Sequence, residues 1–173
     1  MKNRPEQTIA YRVYYGGTDM LGIASIEMPQ VQYITETISG SGVAGEYESP
    51  AKGMTQSMTA KLSFISQTTD FYKLFEPGEQ NLLELYASVQ QADTATSVRK
   101  EIPLKITIVG NLKEGPLGSL ETGKKHGNEA TLECLRVEIE LDGEEVLLID
   151  KPNFIHRVRG NDSLSAVRGH LGI

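Results

Sequence analysis

Apolar and polar side chains alternate with a period of two through most of this chain. Met58, Ala60, Leu62 and Phe64 are apolar, and Ser57, Thr59, Lys61 and Ser63 separate them. Leu83, Leu85, Ala87 and Val89 alternate with Glu84, Tyr86 and Ser88, and Ile102, Leu104, Ile106 and Ile108 with Pro103, Lys105 and Thr107. Successive side chains of a strand point to opposite faces, so each segment has one core face and one wet face. Half-wet strands belong to antiparallel sheets, not to buried parallel ones. Further strands are expected at Tyr11–Tyr15, Leu21–Met28 and Val31–Ile38, with Pro29 between the last two.

The segment 128–142 adds a constraint. Leu132 and Cys134 occupy even positions, whereas Leu135, Val137, Ile139 and Leu141 occupy odd ones. One strand can keep both sets in the core only with a β-bulge at Cys134–Leu135, or by bending there to change sheet. Asp142-Gly143 then separates Arg136–Leu141 from Glu144–Ile149, which predicts a hairpin with a type I′ turn. Pro152 breaks the run, and Asn153–Arg159 resumes it.

Helical signals are few. Thr69 or Asp70 can cap a short helix through Phe75, ended by Pro77-Gly78. Asp162 or Ser163 can cap a second, whose Leu164, Val167 and Leu171 form an apolar stripe expected to dock. Two stretches read as long loops. Ser39–Thr55 holds four Gly and a Pro, and Asn111–Asn128 holds four Gly, a Pro and mixed charge. Loops beyond about 12–15 residues are uncommon in compact domains unless functional or disordered, so both are read as interaction surfaces.

Composition sets the function classes. A length of 173 residues suits one domain, expected over residues 1–173. Apolar residues make up 39% and Trp is absent, which implies a thin core finished by partners. The 17 basic and 23 acidic residues give −6, against the basic stripe of a sequence-independent nucleic-acid binder. One cysteine, Cys134, excludes an internal disulfide and a cysteine-based zinc site within one chain. No secretory h-region follows Met1–Gln7, and the longest apolar run is Val146–Ile149, far short of a bilayer span. A soluble protein of a reducing cytoplasm, with no membrane anchor, is expected.

No motif assembles an active site. Gly40-Ser41-Gly42-Val43-Ala44-Gly45 matches G-x-G-x-x-G, but Glu46-Tyr47-Glu48-Ser49-Pro50 follows it. A dinucleotide site needs a helix starting in the glycines, and two glutamates and a proline supply repulsion and no helix. His126, His156 and His170 are scattered, with no metal-ligand spacing. Cys134 sits mid-strand and reads as a small core residue. Glu138 and Glu140 share a strand face and read as solvated acids, not as carboxylates flanking a substrate. Arg157 and Arg159 read as cross-strand partners of acids. No catalytic residue, cofactor or metal is assigned.

The order of features resembles the major tail tube proteins of contractile-tailed phages (the P2 FII group) and R-type bacteriocins. The resemblance runs through Gly17, Leu21-Gly22, Ile26, Pro29, Glu36-Thr37 and the glycine-rich Ser39–Gly45, then the alternating Met58–Phe64. It is closer in Glu140-Leu141-Asp142-Gly143-Glu144, Ile149-Asp150 and Asn153. It is closest in an ending with Gly160, Asp162, Leu164, Arg168 and Leu171-Gly172 at G-x-D-x-L-x-x-x-R-x-x-L-G spacing. Glu79–His126 matches poorly.

The resemblance implies a mainly β fold, an antiparallel β-sandwich or partial barrel with one or two short helices. It implies homo-hexameric rings stacked into a hollow tube within a sheath, with baseplate and tail terminator proteins at the ends. Such a tube serves as a conduit for DNA, which passes without specific binding, or as a membrane-puncturing tube. The particle would be a virion tail or bacteriocin assembled in the host cytoplasm. Gly40, Ser41, Gly42, Val43, Ala44, Gly45, Glu46, Lys52 and Gly53 are the candidate inter-subunit or inter-ring loop. The alternatives are a type VI secretion tube protein and a monomeric β-sandwich binding module.

Overall fold

The computed structural model describes residues 3–19, 22–76 and 78–173. Its strands are β1 (Asn3–Tyr15), β2 (Thr18–Asp19), β3 (Ile23–Glu27), β4 (Tyr33–Ser39), β5 (Glu46–Thr55) and β6 (Thr59–Phe64), followed after helix α1 (Thr69–Lys73) by β7 (Asn81–Asp93), β8 (Arg99–Glu114), β9 (Asn128–Leu141), β10 (Glu144–Asp150), β11 (Ile155–Val158) and β12 (Asn161–Asp162). Helix α2 (Ser165–Leu171) follows. Leu21 and Pro77, expected to open a strand and end a helix, lie outside the described residues.

Ten strands form one antiparallel sheet in the order β12-β11-β10-β9-β8-β7-β1-β2, with β3-β6 branching from β9. The mainly β, antiparallel architecture with two short helices is as expected, and no closed barrel forms. The branch sits where the hydrophobic phase slips. Val109 pairs with Arg136 and Gly110 with Cys134, so Leu135 is the extra residue of a bulge. Before it, β9 pairs along its outer edge with β6; after it, with β10. The Cys134 N–H donates to Met58 O at 2.7 Å, and the Leu135 carbonyl accepts from the Lys151 N–H at 3.0 Å. The bulge therefore keeps Leu132, Cys134 and Val137 buried while handing the strand edge from one neighbour to the other. The bulge and the bend expected from the sequence are the same feature.

The core gathers Val13, Met58, Ala60, Leu62, Leu83, Leu85, Ile106, Ile108, Leu132 and Ile149 under Phe71 and Leu74 of the α1 segment. Phe71 packs edge-on against Phe64 with ring centres 5.1 Å apart. Asp142 and Gly143 both take positive φ, +53° and +81°, in the expected I′ turn.

Three expectations need correction. Ser39–Thr55 is not a loop: residues 46–55 form β5, which pairs with β4 in a separate two-stranded sheet, leaving only 40–45 as connection. Of Asn111–Asn128, residues 111–114 extend β8 and Asn128 opens β9. The stripe on the last helix does not dock as a unit, because the helix starts at Ser165. Leu164 precedes it and is buried, whereas Val167 and Leu171 are exposed.

Candidate assembly arm

β4 and β5 form a hairpin arm that projects from the body. Thr35 pairs with Pro50, Glu36 with Ser49, Thr37 with Glu48, Ile38 with Tyr47 and Ser39 with Glu46. At about 3.3 Å per residue, the seven residues of β4 span roughly 23 Å. Every residue of β4 is exposed. Alternation puts Ile34, Glu36, Ile38, Tyr47 and Ser49 on one face, and Thr35, Thr37, Ser39, Glu46 and Glu48 on the other. The first face is half apolar, yet its Ile34, Ile38 and Tyr47 are all exposed, Tyr47 by 52%. A lone two-stranded hairpin is at best marginally stable in water. This arm has the composition of a strand pair that is completed by another surface.

The tip, Gly40–Gly45, has φ of +130°, +97° and +110° at Gly40, Gly42 and Gly45. A Cβ at any of them would meet nothing, so the backbone angle, not space, selects glycine. The Val43 N–H donates to Gly40 O, and the Gly45 N–H to Val43 O. The glycine motif thus turns one strand into the next and opens no helix. It has no dinucleotide geometry.

The candidate residues divide into two places. Gly40, Ser41, Gly42, Val43, Ala44, Gly45 and Glu46 lie together at the tip. Lys52 and Gly53 lie at the base, where the register jumps from Thr35–Pro50 to Tyr33–Thr55 and β5 holds three extra residues. Gly53 has φ +69°, and a Cβ there would stand 2.8 Å from Leu164 Cγ and 3.3 Å from His156 Cβ. The Tyr33 hydroxyl and His156 Nε2 share a hydrogen bond of 3.1 Å. Lys151 Nζ donates to Gln56 O at 2.7 Å. The sequence reading missed His156 and Leu164 as the partners of the arm's Tyr33 and Gly53. Lone apolar, aromatic and imidazole groups carry no mutual spacing signal across more than a hundred residues.

Other chemistry is structural. The Cys134 thiol is buried and pushed up to about 11 by desolvation, which leaves it unreactive at neutral pH. Arg157 pairs across strands with Glu145 at 3.2 Å, as expected, whereas Glu138, expected to be solvated, pairs with Arg136 at 2.6 Å. Arg159 falls beyond β11 in a turn, off the face it was expected to share with Arg157. An open groove of about 660 Å³ runs past Tyr11, Tyr14, Tyr86, Lys105 and Glu140. Among the described residues no group of three or more His, Cys, Asp or Glu could hold a metal.

The family model of the phage tail tube protein FII matches residues 5–172. The tail tube protein of Escherichia phage P2 is 23% identical over 173 residues, covering 98% of each chain. In structure, the chain resembles the sheath/tube terminator of an extracellular contractile injection system, PVC, in its extended state. That likeness has TM-score 0.54 and 15% identity over 79% of this chain and 96% of that one. A chain of the PVC sheath-tube complex in the extended state gives TM-score 0.51 and 14% identity, over 75% of this chain and 87% of that one.

Proposed function

Because the chain belongs to the phage tail tube protein FII family, its role is that of a structural tail tube protein in a virion tail or contractile particle, and we propose that it acts by ring formation and arm-mediated stacking. The full length serves as one tube domain. Six copies close into a ring, since a head-to-tail interface whose rotation closes makes a ring. Rings stack into a hollow tube within a sheath, between a baseplate and a terminator. DNA passes through a wall that does not hold phosphate, consistent with the net charge of −6; in a bacteriocin the same tube punctures a membrane. Assembly takes place in the host cytoplasm, without enzymatic chemistry.

The observation that carries this reading is the arm. The apolar residues of its first face, Ile34, Ile38 and Tyr47, are exposed in its own subunit. Docked on a neighbouring copy, that face and the glycine tip become the contact between subunits or rings. Among the described residues β2 pairs with β1 only at Tyr14 and Tyr15, so the outer edge of β1 from Asn3 to Ala10 gives a second place for a neighbour's strand to add.

The test is electron microscopy of the purified full-length chain beside a variant whose residues 40–45 are replaced by Asn-Gly. The parent should form rings or tubes. The variant should melt at the same temperature as the parent and remain unassembled. Normal tubes from the variant would remove the tip from the interface.

A further inference from the structure

The C-terminal segment, residues 160–172, carries the family-like spacing. In the structure it lies against the base of the arm. We infer that His156, Asp162, Leu164 and Arg168 form a socket that fixes the direction in which the arm leaves the body. This rests on the reading of the arm as the assembly contact and adds the residues that position it.

The socket is built from consecutive contacts. The Ser163 N–H donates to His156 O at 2.8 Å and ties the lead of α2 to β11. Asp162 Oδ1 accepts from the Leu164 N–H at 3.0 Å. Its Oδ2 accepts from Arg168 Nη2 at 2.6 Å, while Arg168 Nη1 donates to Phe154 O at 2.7 Å. One arginine thus closes the segment from both sides and holds Leu164 inward, 7% exposed. Leu164 and His156 meet the backbone at Gly53, where no side chain would fit. Gly53 belongs to the three extra residues of β5, so the arm turns at the point where the socket grips it.

On the other strand, Tyr33 reaches His156, which is 4% exposed and leaves Nδ1 without a partner. Among the described residues the imidazole therefore has one hydrogen bond, and that bond is to the arm. The arm is held on both strands at its base, at Tyr33 where β4 begins and at Gly53 near the end of β5, and β4 beyond the base is exposed along its length. Small rotations at the base are magnified at a tip roughly 20 Å away. A neighbour can be met in register only if the base is fixed.

Distances on the unassembled full-length subunit test this. Spin labels are placed on Ser41→Cys at the tip and Glu144→Cys on the exposed start of β10; Cys134 is buried and does not compete. The parent should give one narrow distance distribution. Tyr33→Phe keeps the ring, and Tyr33 is 40% exposed, so the core is not at stake. Loss of its hydrogen bond should raise the population of detached arms about fivefold. Leu164→Ala should broaden the distribution further. His156→Gln, which can still bond the Tyr33 hydroxyl, should stay narrower than His156→Leu. Distributions unchanged in Tyr33→Phe and Leu164→Ala, or equal in the two His156 variants, would overturn the socket. Because the measurement precedes assembly, it judges the joint even where the tip-replacement variant still forms tubes.

Discussion

At the scale of single residues, the bulge at Leu135 is answered by a missing side chain on the neighbouring strand. A Cβ on Gly110 would overlap the Glu133 carbonyl oxygen, far inside van der Waals contact, and stand 3.3 Å from Cys134 Cα. The obstacle is backbone, which cannot rotate away. Gly110→Ala is therefore expected to cost about 2–3 kcal/mol, as an overpacked site does, read as a lower midpoint in denaturant with an unchanged slope. The slip of phase was legible in the sequence because it lies within one strand. The role of Gly110 was not, since it depends on which strand pairs beside the bulge. Cys134 gives a second expectation. A thiol raised to about 11 and fully buried should react with a maleimide only as the protein opens. Labelling at neutral pH should track global unfolding across a denaturant series; fast labelling of native protein would show that the bulge opens locally.

At the scale of elements, the arm was the main feature that sequence reasoning misread. Alternation reveals a strand when one of its faces enters a core. The outer half of β5 enters none within its own subunit, so Glu46-Tyr47-Glu48-Ser49-Pro50 looked like loop, and the glycines on one side and Lys52-Gly53 on the other merged into a single stretch. The body strands were legible for the opposite reason: their alternate residues are buried. The Asp162–Arg168 clamp stands at the base of the arm. Hydrogen bonding to Arg168, then to the Leu164 N–H, holds the Asp162 carboxyl below its ordinary range. A carboxyl with a lowered folded pKa adds stability above its unfolded value, near 4, and loses it as pH falls through the folded value. Hydrogen exchange of residues 155–171 should therefore speed up below about pH 4 relative to the core strands. Asp162→Asn should remove that difference. An equal pH response in the variant would assign the effect to another acid.

For the whole molecule, the question is where the net charge of −6 resides. The arm, residues 33–55, carries Glu36, Glu46 and Glu48 against Lys52, which is 3 − 1 = 2 excess negative charges. The remainder carries 20 acids and 16 bases, or −4. On the sheet, charges are matched locally: Glu84 with Lys105, Glu138 with Arg136, Glu145 with Arg157. None of the described ion pairs includes Glu36, Glu46 or Glu48. An acidic arm approaching an acidic copy is repelled at long range, and the short-range drive comes from Ile34, Ile38 and Tyr47. Like-charged association speeds up as salt screens it, with a Debye length of about 30 Å at 0.01 M and about 8 Å at 0.15 M. Tube formation followed by light scattering should thus accelerate between these two salt concentrations. The double variant Glu46→Gln/Glu48→Gln should start faster and show a shallower dependence on salt. If salt instead slows the parent, the arm lands on a basic patch, and local pairing outweighs the repulsion between whole subunits.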